Sequence, residues 1–159
     1  MPHKELPPPG DHVLRYAGAN RLHRDDGDRL VGLLADAFRL REGEPYLSVT
    51  WVEYFQGDAQ RQIEQAVQAF RRSMKVGTNS AFGMAEVSTV SRICHEHTGS
   101  RVRILHEPEA NNPAHAGVHH SPRDHQELME CLANEAVCQV IANRDVPEAT
   151  TPIPAARHV

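Results

Sequence analysis

The sequence holds no run near the ~20 consecutive apolar residues that a membrane-spanning helix requires. Its start, Met1 to Gly10, is rich in proline and lacks the apolar stretch of a secretory signal. Positive charge is not in excess: 17 Lys and Arg face 21 Asp and Glu, a formal charge of −4 with a pI near 6.2. That balance argues against general nucleic-acid binding and against a membrane surface, because tracking phosphates needs a surplus of Lys and Arg. Cysteine is scarce too. Cys94, Cys131 and Cys138 form no C-x-x-C and cannot all pair with one another, which reads as reduced thiols in a cytoplasmic chain. Cys131 and Cys138, seven apart on one expected helix, read as small apolar core filling.

Recognisable catalytic and cofactor signatures are missing as well. There is no G-x-G-x-x-G, no G-x-x-x-x-G-K-[ST], no H-E-x-x-H and no G-x-S-x-G, and no serine has a histidine and an acid at a recognisable spacing. The residues therefore imply no cofactor. They leave an enzyme open, since catalytic groups assemble across a fold.

What is present is enough for one domain: 159 residues, 40% hydrophobic and 24% charged, with eleven histidines. Residues 1–10 read as a disordered, proline-rich N-terminus, 11–145 as a single domain, and 146–159 as a disordered tail. His12 to Tyr16 is short and β-prone, and Leu47 to Trp51 alternates apolar with polar, so both read as strands. Val52 to Phe55 either continues the second strand or turns away. In Leu30 to Phe38 the apolar positions 30, 33, 34, 37 and 38 fit a helix, but Gly32 and the short length leave a strand or irregular segment open. Ala59 to Met74 reads as a helix behind the N-cap Asp58, with the stripe Ile63, Ala66, Val67, Phe70, Met74 and a stop at Gly77. A second helix is expected from Ser121-Pro122-Arg123-Asp124, with Ser121 as N-cap, through Leu128, Leu132, Val137 and Ile141 to about Asn143. Ala81 to Ile93, Val102 to His106 and His115 to His119 read as further strands, with Thr98-Gly99-Ser100 as a hairpin turn and Glu107 to Ala114 as a loop. The expected fold is α+β: a mostly antiparallel sheet of about four to five strands, covered on one face by two helices.

The histidines divide into groups. On a strand, His95 and His97 would share a face, and the expected hairpin sets them opposite Arg101 and Arg103, which disfavours a bound cation and leaves a solvated polar face. His115 and His119 would share a strand face with Gly117 between them, leaving an open backbone groove just ahead of a helix N-terminus. That setting suits an anion and acid–base work, and it makes His115 the candidate acid/base with His119 and His120 beside it. If strands 12–16 and 47–51 pair, His12, Arg15, Glu53 and Tyr54 converge at a sheet end. Arg15 or Arg39 would then hold an anion while Glu53 orients or accepts a proton. Trp51, the only tryptophan, reads as core, and Tyr54 with Phe55 as a sheet-edge anchor.

Ala37-Phe38-Arg39-Leu40-Arg41, Leu47-Ser48-Val49-Thr50-Trp51-Val52-Glu53-Tyr54-Phe55 and Pro113-Ala114-His115-Ala116-Gly117-Val118 together resemble small bacterial proteins with an L-S-V-x-W-x-E-Y-F segment and a later P-x-H-A-G-V segment. The resemblance spans most of 11–145 and brings no activity or catalytic residue with it. It implies that 37–55 and 113–120 belong to one site or one packing unit.

Three functions fit these observations. The first is a cytoplasmic, non-catalytic binding or accessory domain acting with a protein partner, suggested by small size, absent motifs and proline-rich ends. The second is a small His-dependent enzyme for a phosphorylated or nucleotide-like substrate, with a small anionic ligand held by the arginines. The third is a metal-dependent hydrolase, which needs His115 and His119 to converge with a carboxylate such as Glu53 or Glu107.

Overall fold

The structure, a computed structural model, describes residues 6–119 and 122–149. Among these residues eight strands and three helices follow one another: β1 (His12–Ala17), β2 (Leu22–Arg24), β3 (Leu30–Leu33), β4 (Leu47–Trp51), α1 (Ala59–Ser73), β5 (Ala81–Glu86), α2 (Val87–Thr98), β6 (Arg103–His106), β7 (His115–His119), α3 (Gln126–Cys131) and β8 (Val137–Ala142). Six strands form one sheet in the order β6-β7-β4-β1-β5-β8, with every neighbour antiparallel. β2 and β3 form a separate hairpin. The class is the α+β antiparallel sheet expected from the sequence, with six strands rather than four to five and three helices rather than two.

Alternation along β1 explains the two cores. Val13 and Ala17 point to one face, Leu14 and Tyr16 to the other, as the two-residue repeat of a strand requires. On the second face α1 buries Ile63, Ala66 and Val67 against Leu14, Phe82 and Ile141. On the first, α2, α3 and the β2–β3 hairpin bury Val90, Cys94, Leu128, Leu132 and Leu33 around Val13, Val49 and Val118. Helices thus cover both faces, not one. The cause is a helix hidden in the stretch expected as a strand: Ala81 to Glu86 pairs with β1, but Val87 to Thr98 is helical. Its apolar Val87, Val90, Ile93 and Cys94 recur at helical spacing, and Gly99 closes it in the left-handed conformation (φ 72°) that glycine adopts without strain. The Thr98-Gly99-Ser100 signal is therefore a helix stop rather than a hairpin. His95 and His97 stand on the last turn of α2, not in register with Arg101 and Arg103.

The second expected helix is also shorter. α3 ends at Cys131, one π-turn follows (Leu132–Ala136), and Val137–Ala142 becomes the edge strand β8. Val137, Val140 and Ile141 are β-branched, and pairing along β5 overrides their helical spacing. Cys138 is consequently exposed rather than core, whereas Cys94 is buried and Cys131 half-buried. His125 caps α3, its Nδ1 accepting from the Leu128 amide, and Asp124 pairs with Arg39. Ser121, the expected cap, lies outside the described residues. Leu30 to Phe38 resolves into β3 and a 3₁₀ turn, and Val52 to Tyr54 turns away from β4 as a second 3₁₀ turn. α1 matches its expected start, with Asp58 accepting from the Arg61 amide. Packing continues past 145: Val146 is buried beneath α1, and the Pro147 carbonyl accepts from Gln68 and Arg71.

Candidate functional site

Arg15 projects from the middle of β1 on the face covered by α2 and α3 and is only 6% exposed. Its Nε donates to the Ala37 carbonyl (2.8 Å), Nη1 to Ser48 (2.9 Å) and Nη2 to Arg39 (3.4 Å). Desolvation pulls its pKa down to about 10. The adjoining void, lined by Val13, Val49, Val90 and Cys94, is about 10 Å³, room for one water at most. Arg15 thus ties 37–39 and β4 to β1 and is not an anion holder. Arg39 is engaged as well, donating to Asp36 (2.6 Å) and to Asp124. Those contacts lower the Asp36 pKa and raise that of Arg39.

β1 and β4 pair, so one expected convergence forms. The Glu53 carboxylate takes the His12 backbone amide on Oε1 and the His12 Nδ1–H on Oε2, both at 2.6 Å. The pair is about a quarter exposed, and fixing Nδ1 as donor leaves Nε2 of the neutral ring as an acceptor. Beside it Trp51 is buried, its indole N–H donating to Asp11 at 2.8 Å. The Tyr54 ring lies 5.9 Å from Trp51, 5.3 Å from Phe55 and 5.3 Å from His106, and Tyr54 is 39% exposed. His106 donates Nε2–H to the Pro113 carbonyl at 2.7 Å. This end of the sheet is a supported aromatic tip next to an imidazole–carboxylate pair.

A second polar cluster lies on β7. β4 and β7 pair from Leu47–Val118 to Thr50–His115, so the segments 37–55 and 113–120 meet in one packing unit. His115 is 6% exposed, and its Nδ1–H donates to the Glu107 carbonyl at 2.8 Å. His119 Nε2 meets the Glu107 carboxylate at 2.9 Å. Asn112, fully buried, donates to the Thr50 hydroxyl and accepts from the Ala114 amide, folding the 107–114 loop onto the sheet. The expected groove over Gly117 is filled. The Tyr46 ring lies directly on it, so close that a Cβ at Gly117 would come within 2.5 Å of Tyr46 Cδ1. The same ring is 4.6 Å from His119 and 5.8 Å from His115. Burial and the neighbouring, hydrogen-bonded Glu107 carboxylate raise the Tyr46 pKa.

The predicted residues therefore fall into separate places. His12, Glu53 and Tyr54 gather at one sheet end, while His115 and His119 gather around Glu107. Strand spacings place the His12 and His115 Cα atoms roughly 12 Å apart on the same face. Arg15 points to the opposite face, and Arg39 is tied to Asp36 and Asp124. His120 lies outside the described residues. α3 starts under its own cap, His125, so the expected anion position is occupied. Of the two carboxylates considered with His115 and His119, that of Glu107 meets His119, while His115 meets the Glu107 backbone carbonyl, and Glu53 pairs with His12 instead. Among the described residues, no three His, Cys, Asp or Glu side chains are grouped to hold a metal ion. The residues that sequence reasoning missed are Tyr46, Asn112 and Asp11. Gly117 was the available signal for Tyr46, since a bare position in a strand often marks a close approach. No family model matches the chain, and neither curated proteins nor solved structures yield a match.

Proposed function

We propose that this chain is a non-catalytic binding domain that acts with a protein partner in the cytoplasm. One observation carries the reading: the cationic and imidazole groups that an anion-processing site would use already hold the fold together. Arg15 binds three carbonyls, Arg39 two carboxylates, His115 the Glu107 carbonyl and His119 the Glu107 carboxylate. What the sheet end offers instead is Tyr54, exposed and braced by Trp51, Phe55 and His106, the kind of rigid aromatic that dominates protein interfaces. Three free cysteines support a reducing compartment. No helix among the described residues is long and apolar enough to cross a membrane. The test is purification from the native host. A stoichiometric partner that accompanies the wild type and Met74→Ala but is lost from a folded Tyr54→Ala supports the reading. A chain that always purifies alone refutes it.

A second reading, a small His-dependent enzyme for a phosphorylated or nucleotide-like substrate, is favoured by the His12–Glu53 pair, whose Nε2 is left as a base. In that case His12→Ala and Glu53→Gln abolish phosphoester turnover at an unchanged melting temperature. Turnover that survives both variants sinks it.

A further inference from the structure

α3 is short and seated on the core. Its six residues are too few to form a stable helix alone, yet Leu128 and Met129 are 1% and 2% exposed and share one core with Phe38, Val90 and Cys94. The start of the helix rests on one residue. His125 Nδ1 accepts the Leu128 amide at 3.1 Å, and the His125 carbonyl accepts the Met129 amide at 3.0 Å. Ser, Thr, Asp and Asn are the usual caps, and their acceptors stay acceptors at neutral pH. Histidine differs. Accepting at Nδ1 requires a neutral ring with its proton on Nε2. A proton on Nδ1 turns the acceptor into a donor that faces another donor, and it places a positive charge at the positive end of the helix. The ring is half-buried, so solvent protons reach it.

The charged groups nearby do little to offset that proton. From α2, the half-buried His97 ring stands 6.0 Å away and is itself titratable, so a proton there adds repulsion. From the segment before β4, Arg39 engages the Asp124 carboxylate, with Asp36 on its Nε. Arg123, two residues before His125, is a further cation and donates to the Arg41 and Glu44 carbonyls. Glu127, in the first turn of α3, is exposed, where water and salt screen it. We propose that His125 is a pH-sensitive latch: neutral, it seats the first turn of α3, and protonated, it releases that turn and uncovers Leu128 and Met129. The seated form excludes the proton and the released form does not. Seating is therefore complete on the alkaline side of the imidazole range and is lost as pH falls through it, roughly from pH 8 to 5.

Hydrogen exchange followed by NMR on the full chain tests this, with rates corrected for the intrinsic effect of pH. Between about pH 7.5 and 5, protection of the Leu128 and Met129 amides should fall about fivefold, the typical effect of losing a helix cap, while Val67 in α1 holds its protection. The fall should track the His125 titration, read from imidazole nitrogen shifts in the same sample. His125→Asn keeps an acceptor that does not titrate and should hold protection level across this range. His97→Gln should leave the fall in place. Protection that does not fall, that falls at a pH apart from the His125 titration, or that falls equally at Val67 overturns the proposal. So does a fall that persists in His125→Asn or disappears in His97→Gln.

Discussion

Alanine is normally the better residue in a strand, by roughly 0.5–1 kcal/mol over glycine. Gly117→Ala should nevertheless destabilise this protein. The added Cβ would sit 2.5, 2.8 and 2.9 Å from Cδ1, Cε1 and Cγ of Tyr46, where carbon atoms normally rest ~3.5–4.0 Å apart. A planar ring cannot absorb an ångström of overlap by bending. It must leave β7, losing its contacts with His119 and its hydrogen bond to Glu107. Overpacking of this kind costs about 1–3 kcal/mol, and the lost hydrogen bond adds about 1, so a net loss of about 2–3 kcal/mol is expected. With Tyr46→Ala as background the clash partner is gone, and Gly117→Ala should be neutral or stabilising by about 0.5 kcal/mol. The coupling energy of the double-mutant cycle is then about 3 kcal/mol, read from urea midpoints at constant m-value. Two losses that add to within about 0.5 kcal/mol would refute the placement of Tyr46 over Gly117, and with it the filled groove.

Two further outcomes follow from the same geometry. Arg15→Ala should cost about 3–5 kcal/mol, because it opens a cavity and leaves the Ala37 and Ser48 carbonyls buried without donors. Arg15→Met fills the volume but not the hydrogen bonds and should fall between the two in thermal melts; equal stability of all three would contradict the anchoring role. The Tyr46 pKa is raised above its ordinary value of 10.0, so the folded state holds that proton more tightly than the unfolded chain. Stability from this group is complete below pH 10 and is lost as pH rises through the folded value. Glu107→Gln should bring phenolate formation, followed by ultraviolet absorbance, to lower pH, and an unchanged titration would count against the Tyr46–Glu107 contact.

Local chemistry made part of this legible. Asp58 and the Ile63–Val67 stripe specify α1 wherever it packs, and the alternation in Leu47 to Trp51 specifies a strand with one buried face. The pairing of those strands at a common end also made the His12–Glu53 contact legible. Val87 to Thr98 and Val137 to Ala142 were not legible in the same way. Their β-branched residues suit a strand or a helix, and the choice fell to what lay beside them: a covered face for α2, and the open side of β5 for β8.

By itself, then, the sequence determined an α+β chain with a helix at Ala59 and strands near 12 and 47, because those properties depend on neighbours a few residues away. Only the tertiary structure decided what the histidines do. Whether His115 faces a groove or a wall depends on Tyr46, distant in the chain, and whether Arg15 is a ligand holder or an anchor depends on carbonyls from two other segments. Burial and hydrogen-bond partners set the chemistry of a side chain, and they exist only once the sheet has assembled.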